Sequence, residues 1–209
     1  MGILPDTQLD EELEEELEED FDEELKEEPE ENYKIKCFFS DLIFYTLIIL
    51  IAAYIIPNFV LQRTIVDGAS MEEALHNGDN IYVEKISYRF DKLDRFDIVV
   101  FYPYGREHND YYVKRIIALP GETIQIKDDG LIYIDGELLE EDYGNEIILD
   151  PGRAAMPIRL AKDEYFVLGD NRNVSKDSRF WTVGNVNIRN IEGKVFFRIS
   201  PLDQFGFID

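Results

Sequence analysis

From Leu42 to Gln62 the chain carries 21 consecutive uncharged residues, bracketed by Asp41 and Arg63. At 1.5 Å per residue a helix of that length reaches about 30 Å, the thickness of a bilayer's hydrocarbon core. The run predicts a transmembrane helix, taken with its aromatic flank as residues 37–62. It divides the chain into an acidic segment, 1–36, and a following domain, 63–209. A cleavable leader is the poorer reading, because the run begins far from the N-terminus and has no small-x-small exit before Arg63. Lys26, Lys34 and Lys36 precede the run and only Arg63 closely follows it. That asymmetry predicts a cytoplasmic N-terminus and an extracytoplasmic domain at the cell membrane.

The net charge of −24 is unevenly spread, with 17 acidic residues and one lysine in residues 1–31, a balance of −16, and only −8 beyond. In that segment Leu9, Leu13, Leu17, Phe21 and Leu25 recur every fourth position. On a helix of 3.6 residues per turn such a stripe drifts by about 40° per step, so no fixed apolar face results. The segment therefore reads as a solvated, disordered cytoplasmic tail. The remainder has no lysine or arginine cluster, and a nucleic-acid partner is not expected. Cys37 is the one cysteine, which excludes an intrachain disulfide and a Cys-rich zinc site. His76 and His108 have no second ligand at a useful spacing, so no metal site is expected.

Residues 63–209 read as almost entirely β. Asn80–Glu84, Asp97–Phe101, Glu122–Ile126 and Lys194–Arg198 are short β-branched or aromatic runs. Asp129-Gly130 and Asp135-Gly136 sit between apolar runs as hairpin turns. Leu138–Ala155 is more polar and reads as a loop or small flap, and no long helical period follows Leu61. Lys85 and Lys176 have polar neighbours and read as solvated.

Gly68-Ala69-Ser70-Met71 is a small-residue turn presenting one hydroxyl between the apolar run and the first strands. A serine is a weak nucleophile until a base takes its proton. The best candidate base is Lys114, within the strand-like stretch Tyr111–Leu119, where burial would lower its pKa. Arg115 stays protonated and cannot serve. A Ser-His-Asp arrangement through His76 or His108 is poorer, since Ser70 lacks the Gly-x-Ser-x-Gly elbow. Alternation groups Lys114 with Tyr112 and Ile116, and Arg115 with Val113 and Ile117, without saying which face is buried.

Four blocks, in this order, resemble the bacterial type I signal peptidases, membrane-anchored serine proteases with a Ser/Lys dyad. Ser70-Met71 follows the anchor as the family's Ser-Met-x-Pro-Thr-Leu does. Arg95-Phe96-Asp97-Ile98-Val99-Val100-Phe101 resembles its Arg-Gly-Asp-Ile-Val-Val-Phe strand, and Tyr112–Glu122 its lysine block. Gly169–Arg179 fits Gly-Asp-Asn-Arg-x-x-Ser-x-Asp-Ser-Arg at every fixed position. The chain departs from the family at Glu72-Glu73-Ala74, where x-Pro-Thr is usual.

The resemblance implies a mainly β fold: an antiparallel β core with a small inserted cap, about 123–162, preceded by one N-terminal transmembrane helix. It implies an endopeptidase that cleaves signal peptides from exported preproteins at the outer face of the cytoplasmic membrane, with small-x-small cleavage sites. It further implies Ser70 as nucleophile, Lys114 as general base, Ser175 as a hydrogen-bond partner orienting Lys114, Asp177 and Arg179 as a structural ion pair, and Asp170 as support for its turn. Ile65 and Met71 are expected in the substrate pockets, membrane lipid is a partner, and no cofactor is implied. The competing readings are a membrane-tethered binding module that kept this fold without the chemistry, favoured by Glu72-Glu73, and a self-cleaving Ser/Lys repressor-type protease.

Overall fold

The computed structural model describes residues 30–72, 74–90, 92–144 and 146–208. The acidic stripe up to Leu25 and the carboxylate of Glu73 lie outside the described residues. The backbone separates into a helical unit ending at Tyr54 and a folded unit, Ile55–Asp209.

Helix α1 spans Glu30–Ile55. Its stretch Asn32–Ile55, 24 residues with mean hydropathy 2.1, is long and apolar enough to cross a membrane, and its side chains are exposed. The helix ends before the uncharged run does. Pro57 has no backbone N–H to continue an α-helical ladder, and Ile56–Val60 form a π turn instead. Leu61 and Gln62, assigned to the span from their lack of charge, belong to strand β1 (Leu61–Ile65), paired with β2 (Asn80–Glu84). A strand edge facing its neighbour needs no charge, which is why composition misplaced this boundary.

The other strands are β3 (Ile98–Phe101), β4 (Tyr112–Ala118), β5 (Thr123–Ile126), β6 (Ile132–Ile134), β7 (Glu137–Leu138), β8 (Ile158–Arg159), β9 (Glu164–Leu168), β10 (Val186–Asn187), β11 (Ile191–Ser200) and β12 (Gly206–Phe207). The larger sheet runs β1-β2-β11-β3-β4-β9-β10, with β12 on β11, and the smaller runs β7-β6-β5-β8. Every pairing is antiparallel. The smaller sheet comes from one stretch between β4 and β9, where the inserted cap is expected. A two-residue turn, Asp135-Gly136, joins β6 to β7 with both φ positive, at 50° and 91°. That turn matches the right-handed strand twist.

Strand β4 is buried on both faces. Ile117 and Ala118 join Ile124, Ile126, Phe166 and Leu168 in a core beneath the small sheet. Ile116 joins Val99, Phe101, Val167 and Ile191 in another. A strand covered on both sides reads as a continuous apolar run. This is why alternation left the face of Lys114 open.

One lysine read as solvated is not. Lys85 is 9% exposed, and its Nζ lies 2.6 Å from a carboxylate oxygen of Glu192 in β11, whose other oxygen holds Arg106 at 2.6 Å. Its partner is far off in sequence, so local polarity says nothing about it. Removing the carboxylate would leave Lys85 buried and unpaired, the costly way to break such a pair. Glu192→Gln is expected to destabilise the fold by about 2 kcal/mol. Urea denaturation monitored by fluorescence measures this.

Candidate active site

Ser70 lies in a turn just after β1, held from two directions. Val66 N–H donates to the Asp79 carbonyl at 2.9 Å, and Gly68 N–H to Asn77 Oδ1 at 2.9 Å. From the other side, Asn171 donates its side-chain amide to the Ala69 carbonyl at 3.1 Å and its backbone N–H to the Ser70 carbonyl at 3.2 Å. The turn is thus clamped by the Gly169–Arg179 segment.

Lys114 reaches Ser70 from β4. Its Nζ lies 2.6 Å from Ser70 Oγ and donates to the Val113 carbonyl at 2.7 Å, with the Tyr112 ring 5.5 Å away. The lysine is 3% exposed. Burial lowers its pKa from 10.5 to about 8, and the more distant carboxylates of Asp177 and Asp170 oppose this shift. Glu72 is not among the opposing groups. Its carboxylate lies 4.0 Å from His76 Nε2, one helical turn further along the chain.

Arg115 points to the opposite face and is as buried as Lys114. Its Nε and Nη2 hold Asp170 at 3.0 and 2.9 Å, and its Nη1 donates to the Phe96 carbonyl at 2.9 Å. The guanidinium lies 3.8 Å from the Tyr143 ring centroid. Burial pushes the Asp170 carboxyl up, and the Arg115 guanidinium opposes that. Phe96 stands where the resembling motif has Gly and has φ 76°, a left-handed conformation unfavourable for a bulky residue. Its ring packs on Tyr143 at 4.8 Å, which offsets part of that cost.

Asp177 and Arg179 form a buried pair, with Nε to Oδ1 at 2.8 Å and Nη2 to Oδ2 at 2.9 Å. The Asp177 carboxylate also accepts the Gly169 N–H at 3.2 Å, and Arg172 is paired with Glu141 at 2.7 Å. Ser175 sits among these groups, 3% exposed, but the expected bond to Lys114 is not formed. Its Oγ has no hydrogen-bond partner, because the amine is turned to Ser70 Oγ and the Val113 carbonyl. Arg115 and Gly169 had no assigned role in the sequence reading. A Cβ on Gly169 would lie 2.4 Å from the Ser70 carbonyl oxygen and 2.3 Å from Ser175 Oγ. Its place in the matched motif was the only available signal.

A cleft of about 700 Å³ opens beside the dyad, lined by residues 65–71, 109–114, Val174 and Lys176. Ile65, 58% exposed, stands at its rim, while Met71, 1% exposed, belongs to the apolar cluster beneath it. On one side of β4, pairing with β9 begins only at Arg115, which leaves Tyr112 to Lys114 without a strand partner there among the described residues.

The lowered pKa of Lys114 has a stability consequence of definite sign. Between about pH 8 and 10.5 the unfolded chain holds a proton that the folded chain has lost, so stability rises with pH across that window. Below pH 8 the fold carries the full cost of the buried ammonium, about 3 kcal/mol. Lys114→Met is expected to raise the thermal midpoint at pH 7 by several degrees and to flatten stability across that window. Calorimetry of the detergent-solubilised protein at a series of pH values checks both.

Comparison with known proteins places these features in one family. Residues 39–200 match the family model described as signal peptidase, peptidase S26. A probable signal peptidase I-1 of Synechocystis sp. is 36% identical, over 77% of this chain and 82% of that protein. Signal peptidase I of Leptolyngbya laminosa is 39% identical, over 72% and 74%. Signal peptidase I P of Bacillus subtilis subsp. natto is 37% identical, over 76% and 87%.

Proposed function

The chain belongs to the signal peptidase family, peptidase S26, and from that premise we propose that it removes signal peptides from exported preproteins, with Ser70 as nucleophile and Lys114 as general base. The observation that carries the assignment is the 2.6 Å approach of Lys114 Nζ to Ser70 Oγ. A pKa of about 8 leaves roughly one amine in ten neutral at pH 7, against about one in three thousand at 10.5.

Neutral Lys114 takes the Ser70 proton as Oγ attacks the scissile carbonyl carbon. The carbonyl electron pair moves onto oxygen, and a backbone N–H donor, assigned to Ser70, stabilises the resulting oxyanion. Collapse of the tetrahedral adduct breaks the C–N bond, and protonated Lys114 returns its proton to the leaving amine. A water, deprotonated in turn by Lys114, then cleaves the ester and frees Ser70. Asn171 maintains the dyad geometry through the Ala69 and Ser70 carbonyls. The Arg115–Asp170 and Asp177–Arg179 pairs hold the two supporting segments in place.

The substrate is bound as an extended strand along the unpaired edge of β4, the mode that presents alternate side chains to pockets. Ile65 and Met71 close those pockets to large side chains, which favours small residues at alternate positions before the bond. Helix α1 anchors the enzyme with the acidic N-terminal segment in the cytoplasm and the peptidase domain, beginning at β1, outside, the orientation that Lys34 and Lys36 against Arg63 favour. The binding-module alternative drew on Glu72-Glu73, and Glu72 is directed at His76 instead of the dyad.

Ser70→Ala and Lys114→Ala are each expected to abolish preprotein processing in membranes. The wild-type rate is expected to rise with pH on an acidic limb centred near pH 8, because the base works only when unprotonated. Glu72→Gln should leave that limb where it is; a downward shift of one pH unit would place the carboxylate at the dyad. Phe or Lys immediately before the scissile bond is expected to stop cleavage, which gel analysis of precursor and product reads directly.

A further inference from the structure

Lys176 is distinct among the cations near the site. Arg115, Arg172 and Arg179 are each neutralised by a carboxylate. Lys176 is exposed and forms no ion pair among the described residues, yet it has a hydrogen-bond partner. Its Nζ donates to Tyr104 Oη at 2.9 Å, and that oxygen lies 3.3 Å from Tyr112 Oη. Tyr112 is two residues before Lys114 on β4, so the cation is tied to the strand carrying the base.

The local chain direction sends this charge toward substrate. Val174 and Lys176 line the cleft that contains Ser70 and Lys114, whereas Ser175 between them lines a separate cavity behind it. Lys176 therefore borders the space a peptide must occupy, with its ammonium held at Tyr104 Oη.

We propose that Lys176 is a specificity-determining residue, whose ammonium pairs with a carboxylate on the preprotein a few residues from the scissile bond. This rests on the peptidase reading above and adds to it a preference for an acidic side chain. Pairing costs little here. Tyr104 already restricts the lysine, so less side-chain entropy is lost than for a free surface lysine. Asp67 and Asp110 line the same cleft, and Asp110 acts on the same Tyr104 and Tyr112 hydroxyls as Lys176, so a substrate carboxylate gains only within direct reach of the ammonium. The preference is accordingly confined to one place on the substrate.

The test uses the full-length enzyme in detergent and peptides with one Ala-x-Ala site. Glu, Gln or Lys is set in turn at each free position within about four residues of the bond, a span of roughly 13 Å when extended. At one position, wild type is expected to cleave the Glu peptide about two- to fivefold faster than the Gln peptide in kcat/KM, less so in high salt. Lys176→Gln should bring that ratio to about one, and Lys176→Glu should turn the preference toward Lys. Tyr104→Phe, which frees the lysine, should weaken the ratio. The proposal is overturned if no position shows a Glu preference, or if Lys176→Gln slows every peptide equally. Cleavage of no peptide by wild type, or cleavage surviving Ser70→Ala, would overturn the peptidase reading together with it.

Discussion

Burial brings an amine's pKa toward neutrality only where water is kept from its ammonium form, and that demand governs how the folded unit is packed around Lys114. Lys114 satisfies it by lying on a strand covered on both faces, between cores built from β3, β9, β11 and the small sheet. An isolated hairpin could hold a lysine beside a serine but could not keep the amine dry. The two-sheet architecture is in this sense part of the acid–base chemistry, since it sets the environment that lowers the amine's pKa.

Around this dry centre stand several fixed charges that do no chemistry themselves. The Arg115–Asp170, Arg172–Glu141 and Asp177–Arg179 pairs are largely buried, and all three arginines also bond backbone carbonyls. Such pairs add little net stability, because desolvation offsets the attraction, but they tolerate few alternative arrangements. Two of them contribute the carboxylates that Lys114 senses, and these raise its pKa against the effect of burial. The amine's pKa of about 8 is thus the resultant of apolar burial and nearby negative charge.

Much of this was legible in the residues. Strand β2 coincides with the run Asn80–Glu84, and Asp135-Gly136 marks its turn, because both are local signals of alternation and backbone preference. The pairing of Ser70 with Lys114, which meet at 2.6 Å, was legible through matched blocks, each carrying a small chemical vocabulary in fixed order. Illegible were the features that depend on which surfaces meet. Arg115 seemed only a residue that could not be a base, yet it organises the far side of β4. The partner of Lys85 comes from β11, more than a hundred positions later. The hydroxyl of Ser175 is in the right neighbourhood, but whether it bonds Lys114 depends on rotamers that no spacing encodes.

The clamp on Ser70 carries a consequence in time. Ser70 and Lys114 are both present once β4 has been synthesised, yet the groups holding the Ala69 and Ser70 carbonyls belong to Asn171, 102 residues beyond Ala69. Strand β4 likewise lacks a neighbour along one edge until β9 pairs with Arg115 and Ile116. A growing chain therefore displays serine and lysine well before it contains a protease. The enclosure arrives with the last third of the polypeptide, and a fragment released early has Ser70 and Lys114 without the packing that brings them to 2.6 Å and lowers the lysine's pKa.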